Sequence, residues 1–259
     1  MIHHEPSARD DPDAESLASQ LSPISLEETD GVRLMNRVDT KYAVARSLVP
    51  RLLAEIGKEY RVLEVGGLRL TPYSTLYFDT IGRGCYHDHH NGKARRLKYR
   101  MRRYGQSGPS FFEVKQKTNK GRTVKQRVPI AAVGATIEGA AAALAEEVAG
   151  MRLDLTPQIW TNFSRMTLVG RGHPERVTID IALEFNDEFG RRALLNDVAI
   201  IEVKQQRSNP LSPARKQLRA LGQRPLRVSK YCTGSLLLDP ALKKNRFKHA
   251  LLALNDLSE

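Results

Sequence analysis

Between Arg95 and Tyr104, six of ten residues are Arg or Lys, set in a strand-like alternation. A period of two places Arg96, Lys98, Arg100 and Arg102 on one face and Leu97, Tyr99, Met101 and Arg103 on the other. The next segment sets Phe111, Glu113, Lys115 and Lys117 opposite Phe112, Val114 and Gln116. Arg122 to Val128 alternates in the same way, and Ile200 to Lys204 repeats the Glu-x-Lys phase. For one strand, a solvated face is the simpler explanation. Solvated faces usually mix charge signs, however, and Arg96 to Arg127 is overwhelmingly basic. A closed barrel turns such faces inward, where unpaired cations are costly unless water and an anion fill the lumen. Glu113 and Glu202, each two residues before a Lys on the same face, supply carboxylates for a divalent cation. Cations with sparse carboxylates suit a metal-bound triphosphate.

These side chains need strands to position them. β character runs through Val32 to Val44, Tyr60 to Val65, Tyr73 to Phe78, Leu97 to Tyr104, Ser110 to Lys117, Arg122 to Ile130, Ile159 to Val169, Val177 to Phe185 and Asp197 to Gln205. Short Gly, Asn and Pro turns separate most of them, which favours an antiparallel barrel or sandwich. Helices are expected from a Ser47 cap to Gly57, over Thr136 to Val148, and from the Ser212-Pro213 start to Gly222. An amphipathic terminal helix is expected over Pro240 to Leu257. His87, His89 and His90 lead into Asn91-Gly92 and read as a turn, not a metal cluster. Tyr73, Tyr77 and Tyr99 read as barrel core or rim. Residues 1–24 read as a disordered acidic leader, 25–239 as one domain and 240–259 as the C-terminal helix.

Charge narrows the partner. The 259 residues hold 41 Lys or Arg and 29 Asp or Glu, a net +12. Residues 1–30 contain eight acids and one base, leaving 40 bases against 21 acids, or +19, for the rest. That points to a polyanion. Cys85 and Cys232 lack ligand-spaced companions, so neither a disulfide framework nor structural zinc is expected. No apolar run of about eighteen residues occurs, and the N-terminus is acidic. A cytoplasmic protein is expected, and peripheral attachment to a membrane-protein partner is compatible with the charge. No Gly-x-x-x-x-Gly-Lys-Ser/Thr loop occurs, which excludes a P-loop kinase.

The sequence resembles the VTC domain, the polyphosphate polymerase module within the triphosphate tunnel (CYTH-like) superfamily, from about Arg37 to Tyr231. The resemblance rests on Arg37-x-Asp39-x-Lys41-Tyr42, Tyr77-Phe78-Asp79-Thr80, His87-x-His89-x-Asn91-Gly92 and Tyr99-Arg100-Met101-Arg102. It continues in Phe112-Glu113-Val114-Lys115, Arg165, Arg176-Val177-Thr178-Ile179-Asp180, Glu202-Val203-Lys204 and Ser229-Lys230-Tyr231. Arg37-Val38-Asp39-Thr40-Lys41 stands in place of the superfamily's Glu-x-Glu-x-Lys opening, which favours the VTC branch. The resemblance implies an α+β, mainly antiparallel fold with an eight-stranded β-barrel tunnel, flanking helices and a C-terminal helix. It also implies Lys41, Arg100, Arg102, Lys115, Arg165 and Lys230 at the reacting phosphates. Arg37, Lys98, Lys117, Lys125, Arg127, Arg176, Lys204 and Arg227 would bind phosphate or nucleotide, Arg227 standing where that family often carries lysine. Glu202, Glu113 and Asp180 would hold Mn²⁺ or Mg²⁺.

The implied activity is transfer of the ATP γ-phosphoryl group to phosphate or polyphosphate. Such chemistry needs positioned cations and metal more than a nucleophile. Hydrolysis at the same site is the nearest rival. From another class, a non-catalytic polyphosphate- or nucleic-acid-binding module would also use the charge. A nucleic-acid module would interleave aromatics with the basic face, yet aromatics are only 6% of the chain, so no specific nucleic acid is expected.

Overall fold

A computed structural model describes residues 12–29, 38–119 and 123–258. In chain order the elements are α1 (Pro12–Ser19), β1 (Pro23–Ile24), β2 (Val38–Ala45), α2 (Val49–Ile56), β3 (Tyr60–Leu63), β4 (Leu70–Thr80), α3 (Gly84–Asn91), β5 (Arg96–Tyr104) and β6 (Ser110–Lys117). They continue with β7 (Thr123–Ile130), α4 (Gly139–Ala149), β8 (Leu155–Gly170), β9 (Glu175–Asn186), β10 (Arg192–Leu195), β11 (Val198–Gln205), α5 (Pro213–Ala220), α6 (Lys230–Leu238) and α7 (Lys248–Asp256).

Eight strands form one hydrogen-bonded path, β2-β11-β9-β8-β4-β5-β6-β7, every pair antiparallel. The path curls on itself. Glu202 of β11, second in the order, lies within electrostatic reach of Lys115 of β6, seventh in the order. The result is an antiparallel β tunnel with flanking helices.

Alternation sorts each strand between lumen and outer wall. On β5 and β6, Tyr99, Met101, Phe112 and Val114 pack outward against Ala141, Leu144 and Ala145 of α4. Arg100, Arg102 and Glu113 take the inner phase, as the period of two requires. On β2, β9 and β11, the outward Tyr42, Val44, Ile179, Ile201 and Val203 join Leu52 and Leu53 of α2 and Leu218 of α5. Within β9, Ala182 adopts φ +51 next to an irregularity in the β8 pairing. Beyond it Leu183 and Phe185 change clusters, so β9 is not the uniform strand its sequence suggests.

Several expectations need correction. The disordered leader is wrong over residues 12–24: α1 buries Ala14 and Ala18, and Pro23–Ile24 pairs with β3. Residues 1–11 lie outside the described residues. The histidine segment is helix α3, not a turn. Asp79 accepts the Cys85 and Tyr86 backbone N–H groups, each at 2.8 Å, and Gly92 ends the helix at φ +72. Ser47 caps nothing; α2 starts without a side-chain cap, whereas Ser212 does cap α5 by accepting from the Arg215 N–H at 3.2 Å. The terminal helix spans Lys248–Asp256, shorter than expected. Among the described residues no helix is long and apolar enough to cross a membrane.

Helix α6 closes one end of the concave side. Tyr231, Cys232 and Leu236 pack with Tyr77, Ile159, Phe163, Phe185 and Ile200, whose phase on their strands is that of the lumen. A Cβ at Gly234 would fall 2.3 Å from the Phe185 ring, so only glycine lets the helix seat this deeply. Asp79 also accepts from the Tyr231 hydroxyl at 2.5 Å, which ties α3 to α6.

Candidate functional site: a cationic tunnel

Three carboxylates, two of them buried, organise the inner wall, each holding two cations. Glu113 is fully buried and accepts from Arg100 Nε at 2.7 Å, from the Tyr104 hydroxyl at 2.8 Å and from Lys125. Burial works against its ionisation, but Arg100, Arg102 and Lys125 overcome it and hold the carboxyl far below the usual range. Arg165 lies opposite Asp180 in the β8–β9 register and binds it through two parallel bonds of 2.5 and 2.7 Å; Lys230 completes the group. Glu202 pairs with Lys41 through one oxygen and with Lys204 at 3.1 Å through the other.

Lys98, Lys115 and Arg102 have no ion-pair partner among the described residues. Lys98, Lys115 and Lys125 stand directly opposite one another across β5, β6 and β7, an arrangement that like charges disfavour. Lys98 donates to Ser229 Oγ at 2.8 Å, and Lys125 leans to Glu113. Lys115 has no hydrogen-bond or ion-pair partner among the described residues. The Arg100 charge, and then burial, push its pKa well down. Arg102 donates to Thr75 Oγ1 at 2.9 Å and lies 5.4 Å from the Tyr73 ring centre. Tyr73 and Phe163, stacked at 5.2 Å, also carry Arg165, and Phe163 carries Lys230 at 4.5 Å. Among the described residues, nine cationic side chains (Lys41, Lys98, Arg100, Arg102, Lys115, Lys125, Arg165, Lys204 and Lys230) thus outnumber Glu113, Asp180 and Glu202, the carboxylates that pair with them.

The structure brings these twelve residues to one lumen. Lys117 lies nearer its mouth, where Arg96 and the exposed Arg227 act on it. Arg176 shares the inner phase of β9 with Thr178 and Asp180, and Arg127 sits 4.3 Å over Phe111 at the β7 edge. Arg37 lies outside the described residues. The sequence places Arg96 on the charged face without a site role, and gives none to His89, Ser229 or the Tyr73–Phe163 platform. His89 of α3 is half-buried within reach of Lys98, Arg96, Lys117 and Lys41, and desolvation, then those cations, hold its pKa down to about 2. The Tyr73↔Phe163 pairing could be found only once β4 and β8 were known to be neighbours.

The carboxylates differ as metal donors. Glu113 and Asp180 are almost unexposed and saturated by fixed arginine bonds, which suits them to orient Arg100 and Arg165. Glu202 is held by two flexible ammonium groups, and 15% of its side chain is exposed. It fits a cation that arrives carrying phosphate oxygens as its other ligands. Among the described residues no three His, Cys, Asp or Glu side chains cluster in metal-holding reach.

The lysines make binding pH-dependent. Burial lowers Lys204 and Lys125 from the ordinary lysine range to about 8, against the opposing pull of Glu202 and Glu113. Above about pH 8 the free lumen therefore sheds protons that an unfolded lysine keeps to about 10.4. A polyanion favours the protonated amines, so triphosphate binding should take up protons near pH 8.5 and weaken as pH rises further. Calorimetry in two buffers of different ionisation heat reads the uptake directly. Identical apparent enthalpies would refute it.

The antiparallel β tunnel thus has a cationic inner wall with a few fixed carboxylates. The VTC domain model matches residues 36–239, most of the sequence, and the chain belongs to that family. No curated protein matches it significantly. Among solved structures, a putative adenylate cyclase from Vibrio parahaemolyticus is similar at 16% identity and TM-score 0.42, covering 84% of this chain and 98% of its own. A putative adenylyl cyclase from Hippeastrum with a dominant triphosphatase activity is similar at 13% identity and TM-score 0.47, covering 77% and 95%.

Proposed function

We propose that the chain is a metal-dependent polyphosphate polymerase that transfers the γ-phosphoryl group of ATP to phosphate or polyphosphate within the tunnel. The observation that carries this reading is the excess of lumen cations, above all the Lys98–Lys115–Lys125 row, which a polyanion would neutralise. In the transfer, the bond between the γ-phosphorus and the β,γ-bridging oxygen breaks, a terminal phosphate oxygen of the acceptor bonds to that phosphorus, and ADP leaves. Arg100 and Arg165 spend Nε and Nη2 on Glu113 and Asp180, which fixes each guanidinium and leaves its remaining N–H donors for phosphate oxygens. Lys41, Lys115 and Lys230 are point charges on flexible stems that a lengthening chain can pass. Glu202 would hold Mn²⁺ or Mg²⁺, which would supply charge neutralisation to the phosphates. Cytoplasmic placement gives the site its ATP, and a membrane-protein partner could receive the product.

Incubation with ATP and Mn²⁺, followed by gel detection of polyphosphate beside a free-phosphate assay, tests the reading. A polyphosphate ladder is the expected result. Free phosphate alone would replace it with a hydrolase, and no turnover with a binding module. Polyphosphate should also raise the melting temperature more than duplex DNA at matched phosphate, because a duplex is too wide for the tunnel. The reverse order would favour a nucleic-acid module.

A further inference from the structure

A second basic site lies outside the lumen. A cavity of about 310 Å³ is lined by Tyr42, Arg215, Arg219, Gln223, Arg224 and Pro225. Tyr42 points to the outer wall of β2 while its neighbour Lys41 pairs with Glu202 inside, so the cavity is on the convex side. Three of its six lining residues are arginines and none is acidic. Arg215 and Arg219, four apart on α5, share one helix face, where like charges repel. The turn at Gly222, φ +74, then brings Arg224 beside them. Neither Arg219 nor Arg224 has an ion-pair partner among the described residues. The sequence offers none nearby: between Glu202 and Asp239 there are eight Lys or Arg and no Asp or Glu. At about 30 Å³ for a water, the cavity has room for several phosphate groups with hydration.

The cavity connects to the tunnel through the chain itself. From Arg224 the backbone passes β2, where the Leu226 N–H donates to the Lys41 carbonyl at 2.8 Å, and enters α6 at Lys230. Arg224, Arg227 and Lys230 fall three residues apart, at most about 10 Å of extended chain per step. Lys230 faces the lumen on Asp180, Arg227 acts on Lys117 at the mouth, and Arg224 lines the exterior cavity. The three cations thus mark successive points of the chain between the lumen and the cavity. We propose that the Arg215–Arg219–Arg224 cavity is an exterior anion site that holds inorganic polyphosphate where the chain emerges from the mouth. The proposal rests on the reading of the lumen as a polyphosphate tunnel.

The test is equilibrium binding by the full chain, without ATP and at near-physiological salt, of tripolyphosphate and of long-chain polyphosphate. Tripolyphosphate is short enough to reside in the lumen alone; the long chain engages lumen and cavity together, so its affinity includes the gain of a tethered second contact. Arg219→Ala/Arg224→Ala should weaken long-chain binding about tenfold or more and change tripolyphosphate binding less than about twofold. The single charge reversal Arg224→Glu should do the same. Unchanged long-chain affinity in both variants would overturn the exterior site, as would equal losses for the two ligands. Because no turnover is read, a protein that makes no ladder can still show the chain-length-dependent loss. A ladder without that loss would leave the polymerase and remove the cavity.

Discussion

Glu113→Gln should lower stability by about 3–5 kcal/mol, the loss expected when one member of a buried ion-pair group is removed. Glu202→Gln should leave a folded protein without turnover. The two residues occupy the same Glu-x-Lys phase in the sequence, yet their surroundings separate them. Glu113 is unexposed and balances Arg100 and Lys125 while accepting from Tyr104. The amide cannot supply the charge, and Arg100 is left beside Arg102 and Lys115 with no counterion. Glu202 touches two lysines, and Lys41 has 34% of its side chain exposed and can turn to water. At this size 1 kcal/mol is worth about 2–4 °C, so the Glu113 variant should melt at least about 6 °C lower. A wild-type melting temperature for Glu113→Gln would return that residue to the candidate metal ligands. Wild-type rates for a folded Glu202→Gln in saturating Mn²⁺ would remove Glu202 from them.

What could be read in the sequence was what a period of two encodes. The inner and outer phases of β5, β6 and β11 follow from residue types alone, because Tyr99, Met101, Phe112, Val114, Ile201 and Val203 leave the charged set a single other face. Two kinds of feature were not legible. Helices α3 and α6 are short, and their determinants are tertiary: α3 is capped by Asp79 from the end of β4, and α6 is buried on nearly every side, with no apolar stripe to mark it. The pairing of charges was the other. Arg165 with Asp180, and Lys98 with Lys115 and Lys125, depend on which strands are neighbours, and that is set by the path through β9, β8 and β4. The residues of the site were visible before the counterions that fix them.

The sharpest consequence of the lysine row is a variant whose stability and binding change in opposite directions. In Lys115→Met the side chain keeps its length and apolar stem but loses a charge that stands opposite Lys98 and Lys125, close to Arg100, with no ion-pair partner among the described residues. Burying an uncompensated ammonium costs free energy in the empty tunnel, so its removal should raise the melting temperature of the free protein by a few degrees. The same change removes a donor from the phosphate chain. A hydrogen bond to a charged group is worth about 1.5–3 kcal/mol, so tripolyphosphate affinity should fall about 10- to 100-fold. An ordinary structural lysine would give the contrary pattern, with lower stability and little effect on the ligand. Thermal melts of the free protein beside tripolyphosphate titrations separate the two cases. A Lys115→Met protein that melts lower than wild type and binds as tightly would show that this cation serves the fold and not the anion.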